Sequence, residues 1–550
     1  MCKRCSLPPG REVQVKLLKS IVVGSVLISA GQVLAQSAFA EEDTSSEIRL
    51  LKAKLKQLEQ RVENQGRKER EYEAKASAKA PPAYKAASVF DPCPPGKLCY
   101  KGITLTPGGF IDLTDIYRTR NLSSDVGSIY NSIPFRGNKN YNIGENRFSA
   151  RTSRLSLLAE GNVNSATAIK GYSEIDFESA GSTSNPVATN SFTPRMRQMS
   201  IEIDRNDLGW HLLAGQTWSL TSPSKVGIDP RGVDGPPVVD FESVPGIFAA
   251  RQPGVRIWKE VAPQLSLAVS AENAQTIFVG GNGDFRGGTA PNTFVGTGVS
   301  GVPGVVSGTT LFGVTGPGGS FFNPLTNLSL NRVPDVTVKA AWDPAIGGNK
   351  LHVEAWGLYR ELLDRSNFTN HSVSSFAVGG HVAYELLPKV LDLQFTAAQG
   401  ALGRYSATPF NDATFREDGT FQVLPILGIQ GGLTWHATPA LDIYGFAGIE
   451  KTKATFSFGS TGLPFGFGNP LYDNRGCNVE NSPAVQCNGN TREVRQLTGG
   501  FYHTLHQGPY GTVKVGTQYS YTQRFAFEGV GGAPKTDEHI VMTQLRYYPF

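Results

Sequence analysis

Charged and other polar side chains occupy alternate positions, opposite apolar ones, in several short runs of this sequence. In one such run, Arg154 and Glu160 alternate with the apolar residues Leu155 and Leu157. Because successive side chains of a β-strand point to opposite faces, this pattern predicts a strand with one polar and one apolar face. A row of guanidinium and ammonium groups on the polar face could attract anions, and carboxylates there could attract cations.

No enzyme motif accompanies these charges. The chain has no GxSxG nucleophile motif and no P-loop, and its glycine-rich stretch 279–320 does not lead into a Lys-Ser/Thr helix start. His503 and His506 differ by three positions, so they would point to opposite faces of a strand and do not predict a shared metal site. We therefore expect a protein that is not an enzyme, with no catalytic residue, metal or cofactor.

The charge balance of the chain gives little sign of a nucleic-acid partner. The 550 residues include 52 Lys and Arg and 47 Asp and Glu, a formal charge of +5. Most of this excess lies in residues 1–40. A nucleic-acid-binding protein usually carries a much stronger basic patch, so no nucleic acid is expected as a partner.

Residues 1–40 have the pattern of an export signal. Basic residues end at Lys19, an apolar run extends from Ile21 to Leu34, and the small residues of Ala38-Phe39-Ala40 follow. This order predicts a signal peptide that is cleaved. The alternative is an uncleaved membrane anchor, but the apolar run is short for a spanning helix, which needs roughly 20 residues.

Residues 44–76 have the pattern of a helix and residues 77–101 that of a linker. Apolar residues recur at alternating steps of three and four, which is the a/d seam of a coiled coil. The seam spans about two heptads, so we expect it to form where a larger assembly brings several copies together. The alternative is a lone amphipathic helix. The seam residues are Ile48, Leu51, Leu55, Leu58 and Val62.

Four cysteines beyond the signal form two local pairs. Cys93 with Cys99, and Cys477 with Cys487, would each close a short loop. Such disulfides are typical of exported proteins. The alternative is four free thiols. Zinc is not expected, because neither pair is a CxxC motif and no histidine lies close to either.

From residue 102 onward, alternating runs are separated by connections of two kinds. Short turn signals occur seven times, and the connections between them are mostly long and polar, such as 218–250, 279–331 and 452–493. This alternation is typical of a transmembrane barrel with short periplasmic turns and long extracellular loops. If both chain termini lie at the same end of the barrel as the seven short turns, the chain forms about sixteen strands. The sequence therefore predicts an all-β antiparallel barrel of about sixteen strands over residues 102–550. The predicted strands begin near residues 103, 147, 166, 196, 210, 251, 265, 334, 350, 374, 391, 425, 441, 494, 511 and 539.

If the apolar face of each strand contacts lipid, the polar face lines the interior. For any one charge, the alternative is that it merely solvates the wall. The pore-lining candidates are Arg154, Lys170, Arg256, Lys339, Arg360, Lys514, Glu174, Asp176 and Glu354.

The sequence resembles the trimeric outer-membrane porins of Gram-negative bacteria, and among them the DcaP-like porins, whose members place a short coiled coil before a sixteen-stranded barrel. The resemblance is carried by the seam 48–62, the strand 154–161, the run 212–219 and the end Leu545-Arg546-Tyr547. In addition, Tyr548 and Phe550 match the aromatic C-terminal signal of bacterial outer-membrane barrels.

This resemblance implies a homotrimer in the lipid of the outer membrane, with the helix in the periplasm. It implies passive diffusion of small hydrophilic solutes, with a leaning towards small anions such as dicarboxylates. In trimeric porins the third long connection folds into the lumen, which here makes Lys225, Asp229, Arg231, Asp234, Asp240 and Glu242 the candidates for a constriction.

The match at the C-terminus implies recognition by the barrel assembly machinery. Two other functions stay open at this point. The barrel could be a structural protein that tethers the envelope through its coiled coil, or an outer-membrane enzyme whose site is not visible in the sequence.

Overall fold

The structure is a computed structural model, and it describes residues 96–122, 124–178, 189–240, 242–276, 294–295, 309–311, 331–366, 369–408, 410–416, 420–458, 462 and 464–550. The predicted signal peptide 1–40, the predicted coiled coil 44–76 and Cys93 lie outside the described residues. The described part belongs to one compact unit, Val89–Phe550.

Within the described residues, sixteen long strands form one closed antiparallel barrel. Each strand pairs with its neighbours in sequence, and the last strand pairs with the first, with Leu545 opposite Leu113. In chain order the strands are β1 Ile103–Arg118, β2 Arg154–Asn162, β3 Thr167–Asp176, β4 Arg195–Arg205, β5 Trp210–Trp218, β6 Arg251–Ala262, β7 Leu265–Glu272, β8 Asp335–Trp342, β9 Asn349–Ser366, β10 Thr369–Leu387, β11 Leu391–Gly400, β12 Ile426–Thr438, β13 Leu441–Thr452, β14 Thr491–Gly508, β15 Gly511–Ala526 and β16 Lys535–Tyr548.

The predicted barrel and its number of strands are confirmed, and the main departures lie in two connections. The strand expected near residue 147 is divided in two. Glu145–Ser149 pairs with the C-terminal part of β1, and β2 pairs with its N-terminal part. The connection between β9 and β10 is an exception to the mostly long connections that were predicted, because these two strands stay paired as far as Ser366 and Thr369.

Side chains on opposite faces of each strand differ sharply in exposure. On β1, Ile111 and Leu113 are exposed on the outside, whereas Asp112 and Thr114 are buried on the inside. A continuous apolar outer surface is costly in water but favourable in lipid, since lipid replaces the water that would otherwise be ordered around it. The outer face therefore has the chemistry of a transmembrane barrel.

Exposed aromatic side chains mark both ends of this apolar surface. Tryptophan and tyrosine prefer the interface between lipid and water, where ring and polar group are both accommodated. Near the short turns the exposed aromatic residues are Trp210, Trp342, Trp435 and Tyr510. Further along the strands, where the outward residues become polar, they include Phe148, Phe376 and Tyr519.

Small elements cover the two ends of the barrel. At the short-turn end, Leu98–Tyr100 pairs with the start of β1 and ends the predicted linker. At the long-loop end, short two-stranded sheets and 3-10 turns lie in the connections. Among the described residues, no helix has the length and hydropathy needed to cross a membrane.

The described cysteines, Cys99, Cys477 and Cys487, lie outside the sixteen barrel strands. The predicted disulfide between Cys477 and Cys487 is confirmed, and it closes part of the loop between β13 and β14. Cys99 is also disulfide-bonded. Its predicted partner, Cys93, lies outside the described residues.

Candidate functional site

The connection between β5 and β6, residues 219–250, runs through the inside of the barrel, and we call it the inner loop. Its backbone N–H groups donate to side chains on strands that lie on different sides of the barrel. Because one loop can reach all of these strands only by crossing the lumen, the inner loop divides the interior. The donors and acceptors are Leu220 to Glu272 on β7 (3.1 Å), Ser224 to Glu354 on β9 (2.9 Å), Val239 to Gln518 on β15 (2.6 Å) and Gly246 to Glu450 on β13 (2.9 Å).

Apolar side chains of the inner loop pack against the wall in separate clusters. Leu220 and Ile228 contact Leu213 and Trp258 on one side. Val239 packs with residues of β1 and β16, and Phe248 packs with residues of β9 to β12. Burying one apolar side chain of this kind stabilises the folded state by about 1.5–3 kcal/mol. The inner loop is therefore fixed by packing as well as by hydrogen bonds.

Glycines of the wall allow the end of the inner loop to come close. A Cβ atom on Gly428 would overlap the ring of Phe248, and one on Gly448 would overlap the carbonyl oxygen of Pro245. Gly246 has a φ of +105°, which side chains of L-residues rarely adopt. These glycines place the loop directly against β12 and β13.

A chamber of about 640 Å³ lies between the inner loop and a wall to which β1, β2, β4, β5, β6 and β16 contribute. It also contains the aromatic rings of Phe110, Trp218 and Tyr405 and the carboxyl groups of Asp240 and Glu242. Its most distinctive feature is a group of six arginines. They are Arg154, Arg195, Arg197, Arg231, Arg251 and Arg546.

Four of these arginines form ion pairs with carboxylates of the wall. Their charges are thereby largely compensated, and the pairs also hold the guanidinium groups in place. The contacts are Arg195 to Asp176 (2.7 Å), Arg197 to Glu174 (2.6 Å) and to Asp176 (2.7 Å), Arg154 to Glu174 (3.6 Å), and Arg546 to Asp112 (2.9 Å).

Arg195 and Arg197 were missed as candidates because a β-bulge changes their direction. The register between β3 and β4 shifts at Glu174 and Ile175, which leaves Arg197 as an extra residue. A bulge reverses which face the following residues occupy. If side chains alternated regularly back from the C-terminal end of β4, these two arginines would lie on the outer face. No pattern in the sequence marks the bulge.

The predicted pore-lining residues point inward, but several are buried in ion pairs. Lys339 and Glu354 are 2.9 Å apart with almost no exposure, and Arg360 pairs with Asp335 and Asp412. Arg256 is buried and donates to the carbonyl oxygen of Trp218. Lys170 pairs with Glu202 and Asp204, and Lys514 lies opposite Arg546 in the register of β15 and β16.

Of these candidates, only Arg154 lines the chamber directly, with Glu174 and Asp176 beside it as ion-pair partners. The others pack the wall under the inner loop or lie elsewhere on the strands. Their role in the passage of a solute stays a prediction.

The six predicted constriction residues all belong to the inner loop, and they have different surroundings. Asp234 accepts from Gln394 and lies 3.0 Å from His381 Nε2. Asp240 is buried and accepts from the N–H of Ser128. Lys225 is exposed, and Asp229 accepts a hydrogen bond from the N–H of Arg231. Arg231 and Glu242 line the chamber.

One group in the described part of the chain has the composition of a metal site. Glu202, Asp204 and His211 bring one ligand atom each within 4.8 Å of one another. However, the ammonium of Lys170 lies 2.7 Å from Asp204 and 3.0 Å from Glu202. Because this ammonium already forms ion pairs with both carboxylates, the group is an ion-paired cluster rather than an open cation site.

One carboxyl group beyond the end of β3 has an altered protonation. Burial raises the pKa of Glu178 to about 7, although the nearby Arg151 opposes the shift. Between pH 4.5 and 7 the folded chain therefore holds a proton that an unfolded chain would release. The folded state loses stability as the pH rises through this range.

Comparison with solved structures gives the same architecture. The outer membrane channel DcaP of Acinetobacter baumannii matches with a TM-score of 0.54 and 17% identity, over 81% of this chain and 97% of that chain. An anion-selective porin from Comamonas acidovorans matches with a TM-score of 0.41 and 10% identity, over 81% of this chain and 99% of that chain. No protein-family model and no curated protein matches the sequence. The resemblance to DcaP-like porins that the sequence indicated is confirmed at the level of the fold.

Proposed function

We propose that this chain is an outer-membrane porin through which small hydrophilic solutes diffuse passively. The observation that carries the proposal is a closed sixteen-stranded barrel whose inner loop crosses the lumen and leaves a charged chamber beside it. A barrel of this size is wide enough for a water-filled passage. An inner loop that narrows it restricts passage to small solutes.

The outer surface supports a location in the outer membrane. It is apolar between two rows of aromatic residues, as expected for a wall in contact with lipid. The fold shared with the outer membrane channel of Acinetobacter baumannii supports the same location. A homotrimer, a periplasmic helix and recognition by the barrel assembly machinery extend the proposal on the basis of the sequence.

The arginines of the chamber support a preference for small anions. A guanidinium group stays charged at all physiological pH values, and its planar shape matches carboxylate oxygens. Six arginines face two carboxyl groups in the lining of the chamber. Small dicarboxylates would be attracted by such a surface, since each carries two groups of this kind.

Reconstitution into a planar lipid bilayer tests the proposed channel. We expect stepwise increases of conductance when the purified protein is added, because each insertion opens a water-filled path. In a KCl gradient, the reversal potential should have the sign of an anion-preferring pore. A barrel that is folded, as judged by heat-modifiable mobility on a gel, but gives no conductance steps would contradict the proposal.

A further inference from the structure

We propose that Arg251 and Arg231 form a binding site for a small oxyanion, a carboxylate or a phosphate, within the chamber. The proposal deepens the proposed channel function, since it adds a site where a solute pauses during its passage. It depends on a difference between these two arginines and the other four, which hold carboxylates of the wall.

Arg251 has a defined position at the edge of the chamber. It is the first residue of β6 and lies opposite Trp218, the last residue of β5. Its guanidinium carbon lies 4.5 Å from the centre of the Trp218 ring. Stacking on an aromatic ring orients a guanidinium group without using its N–H donors, so these donors stay available to a ligand.

Arg231 faces the same chamber from the inner loop. Its backbone is fixed on both sides. Its N–H donates to Asp229 Oδ1 at 2.9 Å, and its carbonyl oxygen accepts from Gln198 Nε2 at 3.0 Å. The side chain therefore extends from a rigid point of the loop.

Neither of these two guanidinium groups forms an ion pair in the part of the chain that the structure describes. Both are partly buried, and they lie in a chamber that already holds four other arginines. Positive charge that is withdrawn from water without a counter-charge is costly. An oxyanion in the chamber would offset this cost and accept the free N–H donors.

The neighbouring groups set the chemistry of the ligand. Asp240 and Glu242 line the chamber as well, so a ligand with positive charge could bind near the inner loop. Near Arg251, however, the lining offers guanidinium donors. This side fits an oxyanion whose oxygens meet the guanidinium groups.

Calorimetry with the detergent-solubilised full chain tests this site, with inorganic phosphate and malonate as probes. We expect the unaltered protein to bind at least one probe. The variant Arg251→Lys keeps the positive charge but loses the planar pair of donors, so its affinity should fall about tenfold. Arg231→Gln should weaken binding to a similar or greater extent.

Arg195→Lys is the matched comparison. Arg195 lines the same chamber, but its donors are bound to Asp176 (2.7 and 2.8 Å). Its replacement should change the affinity less than twofold. Equal weakening by Arg195→Lys and Arg251→Lys would mean that a diffuse field attracts the anion, and it would overturn the proposed site.

Conductance of the unaltered protein in KCl separates the two proposals. If conductance steps are present and neither probe binds, the site is refuted while the channel stands. If a probe binds but no steps occur, the channel is refuted and the site stands as a property of a closed barrel. Heat-modifiable mobility of each variant shows that a lost affinity does not come from a misfolded barrel.

Discussion

At the scale of single residues, many charges inside this barrel hold the wall together rather than lining a path. Lys339 on β8 and Glu354 on β9 form a pair with side-chain exposures of 1% and 0%. The Lys339 ammonium also donates to the carbonyl oxygen of Ser222, and Glu354 accepts from the N–H of Ser224. One ion pair thus connects two strands with the start of the inner loop.

Removing Lys339 should therefore destabilise the barrel. In Lys339→Met, a buried carboxylate loses its counter-charge, which typically costs about 3–5 kcal/mol. Urea unfolding in lipid vesicles, followed by tryptophan fluorescence, measures this loss. The control is Lys350→Met on β9, because the Lys350–Glu385 pair has a similar distance of 3.0 Å but a lysine that is 82% exposed. Exposed pairs contribute little, so equal effects of the two variants would disprove this reading.

At the scale of elements, the inner loop depends on the strands that receive it. Its hydrogen bonds reach strands on several sides, and its apolar residues enter separate clusters. The wall supplies matching space through glycines on β12 and β13. We therefore predict that this fixed loop sets the width of the proposed passage, and that a change in the wall alone alters that width.

Replacing a glycine of the wall tests this dependence. In Gly448→Val, the new side chain would overlap the backbone of the inner loop at Pro245, so the loop must move. We expect a changed single-channel conductance and a loss of stability of about 1–3 kcal/mol. At Gly445 on the same strand, an added Cβ atom meets nothing within 4 Å, so Gly445→Val should preserve both properties. Unchanged conductance in Gly448→Val would show that the loop does not control the passage.

At the scale of the whole molecule, closure of the barrel is observed, whereas assembly into an oligomer is a prediction with a different basis. Closure follows from the pairing of β16 with β1, which leaves no free edge strand in the barrel. Assembly is predicted from the coiled-coil seam, which lies outside the described residues. The barrel and the oligomer should therefore respond separately to substitution.

Charges in the seam should weaken the oligomer and spare the barrel. The double variant Ile48→Asp and Leu55→Asp places carboxylates at two positions where copies of the helix would meet. We expect a smaller mass in light scattering of the solubilised protein, with unchanged heat-modifiable mobility. The control is Gln57→Asp, which lies off the seam. An unchanged mass in the double variant would assign assembly to the barrel itself.

The sequence alone determined the barrel to a large extent. Side chains that alternate with a period of two, and short turns that alternate with long connections, predicted sixteen strands and most of their starts. These features are local, because each depends on residues that are near one another in the chain. The Cys477–Cys487 disulfide was predictable for the same reason.

The arrangement of the charges was decided only by the tertiary structure. Arg154 faces an open chamber, whereas Lys339 faces a buried carboxylate. This difference depends on where the inner loop packs, and the strands that the inner loop contacts are far from it in sequence. The bulge at Arg197 reversed a direction that regular alternation predicts. A strand pattern says which face a side chain occupies, but the partner it meets there depends on which distant segment folds over that face.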